Sequence, residues 1–218
     1  MKGKLIAVGV GPGDPELLTL KAVKAIRSAD VIICPAKGNS PGLAYKIAEE
    51  AVPEISFKEI LPLCFPMEKN GTEQAHREAA EAIISRLQEG KSAAFLTLGD
   101  PGLYSTFSFI SGMIAENGFE ISVISGVTSF CAAAAKLLLP LAGGSGSVLI
   151  SSGVFTDFPG TEVIMKAGSC LKTLKEQIRE SGKTAYLAEN CGMADEKLYS
   201  GIDAMPDETG YFSLLIVK

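Results

Sequence analysis

The sequence predicts an α/β protein with two small domains, because short apolar strands alternate with helical segments from end to end. The clearest helix is Thr72–Glu89, where apolar residues recur on one face and Gly90 marks the end. Glycine-containing turns follow three of the apolar strands. The 218 residues, of which 47% are hydrophobic, suffice for two packed cores. We place the domains at residues 1–117 and 118–218.

The first half contains four strand-like runs before its last helix. The first helix ends near Ser28, and either Asp14 or Thr19 has the residue type of its N-cap. Further helices are predicted at Pro41–Glu50 and Tyr104–Glu116. Strand followed by helix in this order is typical of a largely parallel sheet. The predicted strands are Lys4–Val10, Val31–Ala36, Ile55–Leu61 and Ser92–Leu98.

The second half has the same alternation with more strand. Helices are predicted at Ala132–Leu138 and Leu171–Ser181. The predicted strands are Ile121–Ile124, Val148–Ser152, Thr161–Lys166, Thr184–Glu189 and Tyr211–Val217.

Composition excludes several classes of protein. The formal net charge is −5, which argues against a general nucleic-acid binder. No run of about 20 apolar residues is present, and the chain enters a strand almost at once, so we expect neither a membrane span nor a signal peptide. The five cysteines form no C-x-x-C pair, which favours free thiols over a disulfide framework or a metal site. We therefore expect a soluble, cytoplasmic protein.

The first chemical motif is G-V-G-P-G-D-P at residues 9–15, directly after the first strand. Glycines in such a turn let a ligand approach the backbone closely. The spacing differs from the G-x-G-x-x-G of dinucleotide-binding loops, and Asp14 would repel a pyrophosphate. A tight turn with Asp14 as a helix cap is an equally good interpretation of these residues alone.

Two further loops have the same placement. L-G-D-P-G-L-Y-S-T at residues 98–106 follows one apolar strand, and S-G-V-T-S-F at 125–130 follows another. For the first of these the alternative is a strand–turn–helix connection capped by Asp100, and the second, taken alone, is more often a helix cap than a binding site. Because α/β sheets bind ligands at the carboxyl ends of their strands, the three together predict a rim of ligand-facing backbone. Such a rim suits an amino acid and a ribose better than a phosphate.

His76 is the only histidine of the chain and lies on the Thr72–Glu89 helix. We interpret it as a surface or boundary residue, since no cysteine or carboxylate cluster accompanies it in the sequence. Without it no Ser/His/Asp or Cys/His system can be assembled, which weakens hydrolase hypotheses.

The three loops, in this order and spacing, resemble the tetrapyrrole methylase superfamily along essentially the whole chain. Two features narrow the resemblance to one branch of the superfamily. The first is D-P-G-L-Y-S-T-F together with V-T-S-F-C-A-A-A, and the second is A-E-N-C-G-M-A-D-E at 188–196 followed by Y-F-S-L at 211–214. These are similar to the precorrin-2 or cobalt-factor II carbon-20 methyltransferases of cobalamin synthesis.

That resemblance implies a mostly parallel sheet in the first domain, a mixed sheet in the second, and a homodimer. It implies S-adenosyl-L-methionine in a cleft between the domains and a tetrapyrrole substrate at Pro12, Gly13 and Asp14. No general base is identified; Asp100 is the best carboxylate by location. The implied cofactor contacts are Gly99, Asp100, Leu103, Tyr104, Thr128, Ser129, Met165, Asn190, Tyr211 and Phe212.

One stretch departs from the resemblance. Residues Val154–Thr161 are fewer than expected between two strands that relatives usually join by a helical segment.

A tetrapyrrole with many carboxylates also needs local cations on this acidic chain. Those available are Lys37, Lys69, Arg77 and Lys166.

Three alternatives remain at this point. A nicotinamide-dependent oxidoreductase rests on the glycine loop alone and requires an acidic residue closing the second strand, which instead ends C-P-A-K at 34–37. Another methyltransferase of the same superfamily, including one acting on nucleic acid, is the second. A non-catalytic ligand-binding regulator is the third.

Overall fold

The computed structural model describes residues 2–38, 40–65 and 72–218. The chain divides into two compact units, Met1–Thr128 and Ser129–Lys218, each with its own sheet. Within the described ranges, every helix is too short or too polar to span a lipid bilayer.

The first unit alternates strands and helices as predicted, with short 3₁₀ helices at Pro15–Leu17 and Pro53–Phe57. Its helices are α1 (Leu20–Ser28), α2 (Leu43–Ala51), α3 (Thr72–Gln88) and α4 (Phe107–Glu116). Its strands are β1 (Lys4–Gly9), β2 (Val31–Lys37), β3 (Ser40–Pro41), β4 (Glu59–Cys64), β5 (Ala93–Thr97) and β6 (Glu120–Ile124).

Five of these strands form a parallel sheet in the order β4-β2-β5-β1-β6, and the short β3 pairs antiparallel with the end of β2. Alternate residues of β1 enter different cores: Ile6 and Val8 pack with α1 and α2, whereas Leu5 and Ala7 pack with α3 and α4. Both faces of the sheet are therefore covered, which explains its unbroken apolar strands. The predicted mostly parallel sheet is confirmed.

Local chemistry explains where element boundaries differ from the predicted ones. Asp14 and Thr19 both act as caps, for the first 3₁₀ helix and for α1. Pro53 begins a second 3₁₀ helix, which delays β4. Helix α4 begins at Phe107 instead of Tyr104, because Tyr104 has a φ of 48° that an α-helix does not accommodate.

The division between the units falls later than the predicted boundary at 117/118. Strand β6 pairs along β1, from Lys4↔Glu120 to Val8↔Ile124. This pairing joins residues 120–124 to the first sheet. Sequence pattern locates a strand but does not say which sheet it completes.

The second unit contains the helices α5 (Ser129–Lys136) and α6 (Leu171–Ser181). Its sheet has the order β10-β9-β11-β8-β7; β7 and β8 are parallel and the other pairs antiparallel, so the predicted mixed sheet is confirmed. Strand β10 was not predicted. The strands are β7 (Val148–Ser152), β8 (Thr161–Met165), β9 (Ala185–Glu189), β10 (Lys197–Ser200) and β11 (Ser213–Val217).

Residues 153–160 connect the parallel strands β7 and β8 without a helix. Such a crossover is short, since parallel connections usually take a dozen residues or more. Glu162 of β8 is fully buried and fastens the segment: its carboxylate accepts hydrogen bonds from the Thr156 N–H (2.8 Å) and hydroxyl (3.1 Å) and from the Phe158 N–H (3.4 Å). Phe155 packs against the core under α6.

We predict that Glu162→Gln lowers the free energy of unfolding by about 1–3 kcal/mol, because the amide nitrogen cannot accept a hydrogen bond and leaves a backbone donor unpaired. Urea denaturation of both proteins measures the difference. The matched control is Glu120→Gln on the exposed edge strand β6, which is expected to change stability by less than about 0.5 kcal/mol. Equal losses in the two variants would contradict the anchoring role.

Candidate functional site

The three glycine-containing loops of the first unit meet at one end of its sheet. They follow β1, β5 and β6, which are neighbours and parallel, so their carboxyl ends lie side by side. The Val10 N–H donates to the Thr97 carbonyl (2.9 Å), and the Gly99 N–H donates to the Gly11 carbonyl (2.7 Å). The chain leaves β1 toward β2 and leaves β5 toward β6, in opposite directions along the sheet. Such a switch point is where α/β sheets form binding crevices.

The loops approach each other too closely for side chains. A Cβ atom on Gly126 would lie 2.1 Å from the Gly99 carbonyl oxygen, and one on Gly9 would lie 2.5 Å from the Gly126 nitrogen. Glycine is required at both positions for backbone packing. Gly9 of the first motif and Gly126 of the third are thus explained without a ligand.

Gly99 differs from these two glycines. Its φ is +70°, and a Cβ atom added there would meet nothing within 4 Å. The protein leaves the space beside this backbone open. A ligand that approaches the second loop can use that space.

Asp100 links the second loop to the third. One carboxylate oxygen accepts a hydrogen bond from the Gly102 N–H (2.7 Å) and the other from the Gly126 N–H (2.9 Å). A carboxylate that holds two backbone donors fixes loop geometry. This arrangement favours a positioning role for Asp100 over the proton transfer considered from the sequence.

The remaining predicted residues of the first unit lie on these loops. Leu103 is half-buried, and Tyr104 is exposed with its backbone in the left-handed region. The Thr128 hydroxyl oxygen is buried and has no hydrogen-bond partner among the described residues. A buried hydroxyl without a partner is unfavourable, so this group is suited to bonding a ligand.

The first loop is less exposed than we expect of a loop that faces the substrate. Pro12 is buried, and Gly13 is half-buried. The Asp14 carboxylate accepts a hydrogen bond from the Glu16 N–H (2.9 Å), so it caps the 3₁₀ helix. Contact of these residues with a substrate stays a prediction.

In the second unit, four predicted site residues lie at one edge of the sheet. Strand β11 is antiparallel to β8 and β9, so it begins where they end. Met165 ends β8 and pairs with Leu214, while the Asn190 N–H donates to the Phe212 carbonyl (2.8 Å). The neighbouring rings of Tyr211 and Phe212 are both exposed. We call Met165, Asn190, Tyr211 and Phe212 the second-unit rim.

A carboxylate also fastens the loop that follows β9. Glu196 accepts hydrogen bonds from the Gly192 N–H (2.6 Å) and from Lys136 Nζ at the end of α5 (2.7 Å). Burial raises the pKa of the Glu196 carboxyl, but these hydrogen bonds outweigh it and hold the pKa below its ordinary value. Burial raises the pKa of the adjacent Cys191 thiol to about 11, so the thiol stays protonated. Sequence reasoning missed this network, because Lys136 and Glu196 are distant in the chain.

The loop chemistry disfavours a dinucleotide. No lysine, arginine or histidine occurs in residues 9–15, 98–106 or 125–130, and two carboxylates do. The glycine loop also leads into the 3₁₀ helix at Pro15–Leu17, while α1 begins only at Leu20. A pyrophosphate site uses the N-terminus of the α-helix that the glycine loop opens, and this loop opens no α-helix.

The other residues considered from the sequence lie outside these loops. The His76 ring stacks on Phe109 of α4, with ring centroids 4.6 Å apart, as expected for a boundary residue. Arg77 forms an ion pair with Glu73 on the same helix. Lys69 lies outside the described residues.

Comparison with known proteins identifies the family. The family model of tetrapyrrole (corrin/porphyrin) methylases matches residues 4–202. The chain belongs to this family. Among curated methylases, it is 33% identical to the probable cobalt-precorrin-2 C(20)-methyltransferase of Methanocaldococcus jannaschii, over 99% of this chain and 96% of that protein. It is 32% identical to the precorrin-2 C(20)-methyltransferase of a Sinorhizobium species, over 99% and 95%.

A solved methylase structure has the same fold. The uroporphyrin-III C-methyltransferase of Thermus thermophilus, complexed with S-adenosylhomocysteine, aligns with a TM-score of 0.71. It is 20% identical in sequence, and the alignment covers 99% of this chain and 92% of that one. The predicted two-domain α/β methylase fold is confirmed.

We predict that the Glu196 interaction stabilises this methylase only where the carboxylate is ionised. Because the folded-state pKa lies below the ordinary value of 4.5, the contribution is complete above pH 4.5 and is lost as pH falls through the folded-state pKa. Urea midpoints of wild type and Glu196→Gln should therefore differ at neutral pH and converge in acid.

The control is Glu208→Gln, which removes an exposed carboxylate from the same unit. Its urea midpoint should follow wild type at every pH. A difference between wild type and Glu196→Gln that persists unchanged into acid would contradict the ionic interaction.

Proposed function

We propose that this tetrapyrrole methylase transfers a methyl group from S-adenosylmethionine to carbon 20 of a precorrin-2-type tetrapyrrole, with or without cobalt, in cobalamin biosynthesis. The observation that carries the proposal is full-length similarity to two relatives that are both named as C(20)-methyltransferases. Their names differ in the metal, one being a cobalt-precorrin-2 enzyme and the other a precorrin-2 enzyme. Both names give carbon 20 as the methylated position.

The described residues fit S-adenosylmethionine as the cofactor. Gly99 leaves backbone open to a ligand, the Thr128 hydroxyl is suited to a new hydrogen bond, and the loops lack a phosphate-binding cation. The solved T. thermophilus relative is itself complexed with S-adenosylhomocysteine. We assign the cofactor to Gly99, Asp100, Leu103, Tyr104, Thr128, Ser129, Met165, Asn190, Tyr211 and Phe212.

S-adenosylmethionine supplies a methyl group that its sulfonium has already activated. The chain therefore needs to position its ligands and to exclude water more than to supply a nucleophile. Asp100 holds the second and third loops together, and Gly99 provides room beside its backbone. The exposed rings of Tyr211 and Phe212 offer apolar surface to a ligand. No residue of the chain is assigned as a general base.

We assign the substrate, a flat macrocycle with carboxylate side chains, to the first loop at Pro12, Gly13 and Asp14. We also propose that the protein acts as a homodimer in the cytoplasm. All five cysteines are free thiols, which suits a reducing compartment. Light scattering coupled to size-exclusion chromatography tests the dimer, and fractionation of cells tests the compartment.

Calorimetry should show that S-adenosylhomocysteine binds the wild type and NAD does not. The variant Gly99→Val should lose this binding, because its side chain would fill the open space beside the loop. Valine also strains a residue with φ of +70°. The control is therefore Gly182→Val at the end of α6, where φ is +72° and a Cβ atom likewise meets nothing within 4 Å.

The control variant should bear the same backbone strain and keep its affinity for S-adenosylhomocysteine. Circular dichroism verifies that both variants are folded. Normal affinity in a folded Gly99→Val protein would show that the second loop is only structural, and tight NAD binding would overturn the cofactor assignment.

Product analysis tests the substrate. The protein is incubated with methyl-labelled S-adenosylmethionine and either precorrin-2 or cobalt-factor II, and the product is examined by NMR. We expect label at carbon 20 with one of the two, which also decides the metal content. Label at a different ring carbon would keep the family and refute the C20 assignment, and transfer to neither would refute the proposed substrate.

A further inference from the structure

Lys166 follows β8 directly and has an unusual backbone. Its φ and ψ are 55° and 39°, in the left-handed region that residues with side chains rarely adopt. Among the described residues only five non-glycine positions have positive φ, and Tyr104, Lys166 and Asn190 all lie in loops assigned to the site. Backbone strain of this kind concentrates at functional positions.

The residues that follow Lys166 are tightly packed. Ala167 is fully buried, and a Cβ atom on Gly168 would lie 2.2 Å from the Gly210 carbonyl oxygen. The backbone after Lys166 is therefore packed tightly against the segment that leads to Tyr211 and Phe212. This packing fixes the position of the backbone next to residue 166, from which the lysine side chain extends.

The ammonium group of Lys166 lies on the second-unit rim. Its Nζ is 5.9 Å from the centroid of the Tyr211 ring, a distance that permits a cation–π interaction. Lys166 itself is half-buried. A positive charge thus lies beside an exposed aromatic ring assigned to the cofactor.

We propose that Lys166 is a specificity-determining residue that binds a peripheral carboxylate of the tetrapyrrole. The inference rests on the proposed function, because it takes the second-unit rim as part of the methyl-transfer site. The cofactor also has a carboxylate, but the tetrapyrrole has many around its circumference. An ammonium beside an aromatic ring suits a macrocycle that presents a flat face and charged side chains together.

The test uses variants that separate the effect of the side-chain charge from the effect of the backbone conformation. Lys166→Asn removes the charge and keeps a residue type that tolerates positive φ, whereas Lys166→Arg keeps the charge. The control is Lys4→Asn at the start of β1, an exposed position at the opposite end of its sheet from the glycine loops. Steady-state kinetics with the accepted tetrapyrrole gives KM and kcat, and calorimetry gives the affinity for S-adenosylhomocysteine.

We expect Lys166→Asn to raise the KM for the tetrapyrrole about tenfold, with little change in kcat or in S-adenosylhomocysteine affinity. Lys166→Arg should restore most of the loss, and Lys4→Asn should behave as wild type. Raising the salt concentration should increase the KM of wild type more than that of Lys166→Asn, because the charged contact is screened. Fluorescence titration with uroporphyrin III should show the same ranking without turnover.

An unchanged KM and unchanged uroporphyrin III affinity in a folded Lys166→Asn protein would overturn the proposal. A fall in S-adenosylhomocysteine affinity with no change in KM would assign Lys166 to the cofactor carboxylate and would also overturn it. Failure of the proposed function is separate: wild type would then methylate neither tetrapyrrole.

Discussion

The close approach of three loops at the carboxyl ends of β1, β5 and β6 is the constraint on which the first unit depends. Gly9 and Gly126 approach each other and the Gly99 carbonyl oxygen at distances that leave no room for a side chain on either residue. Asp100 then satisfies backbone donors on two loops with its two carboxylate oxygens. Any side chain at Gly9 or Gly126 would force the ends of the strands apart. With that packing in place, the open side of Gly99 remains available to a ligand.

The second unit forms its rim by a different route. Its central strand β11 is antiparallel to both β8 and β9. The loops that follow β8 and β9 therefore lie at the same edge of the sheet as the segment that precedes β11. In a parallel sheet the segments entering strands lie at the far end. The mixed topology therefore adds Tyr211 and Phe212 to the same edge as Met165 and Asn190.

Carboxylates hold much of this architecture in place. Asp100 joins loops of the first unit, Glu162 fastens the short crossover between β7 and β8, and Glu196 fastens the loop after β9. Each accepts hydrogen bonds from backbone N–H groups, an interaction stronger than a neutral hydrogen bond. Because the methyl donor is already activated, these carboxylates are not needed for catalysis and can hold the loops in position.

The sequence by itself determined most elements, because apolar periodicity and glycine-containing turns are local properties. The family, and with it the mixed sheet of the second unit, came from the resemblance of its motifs to those of known methylases. Residue types and order sufficed to identify the three loops. Only the tertiary structure decided which sheet β6 completes, that β10 pairs with β9, and that Asp100, Glu162 and Glu196 act as anchors. Strand partners and hydrogen-bond acceptors depend on residues far apart in the chain, and no local pattern records which distant donor a carboxylate will meet.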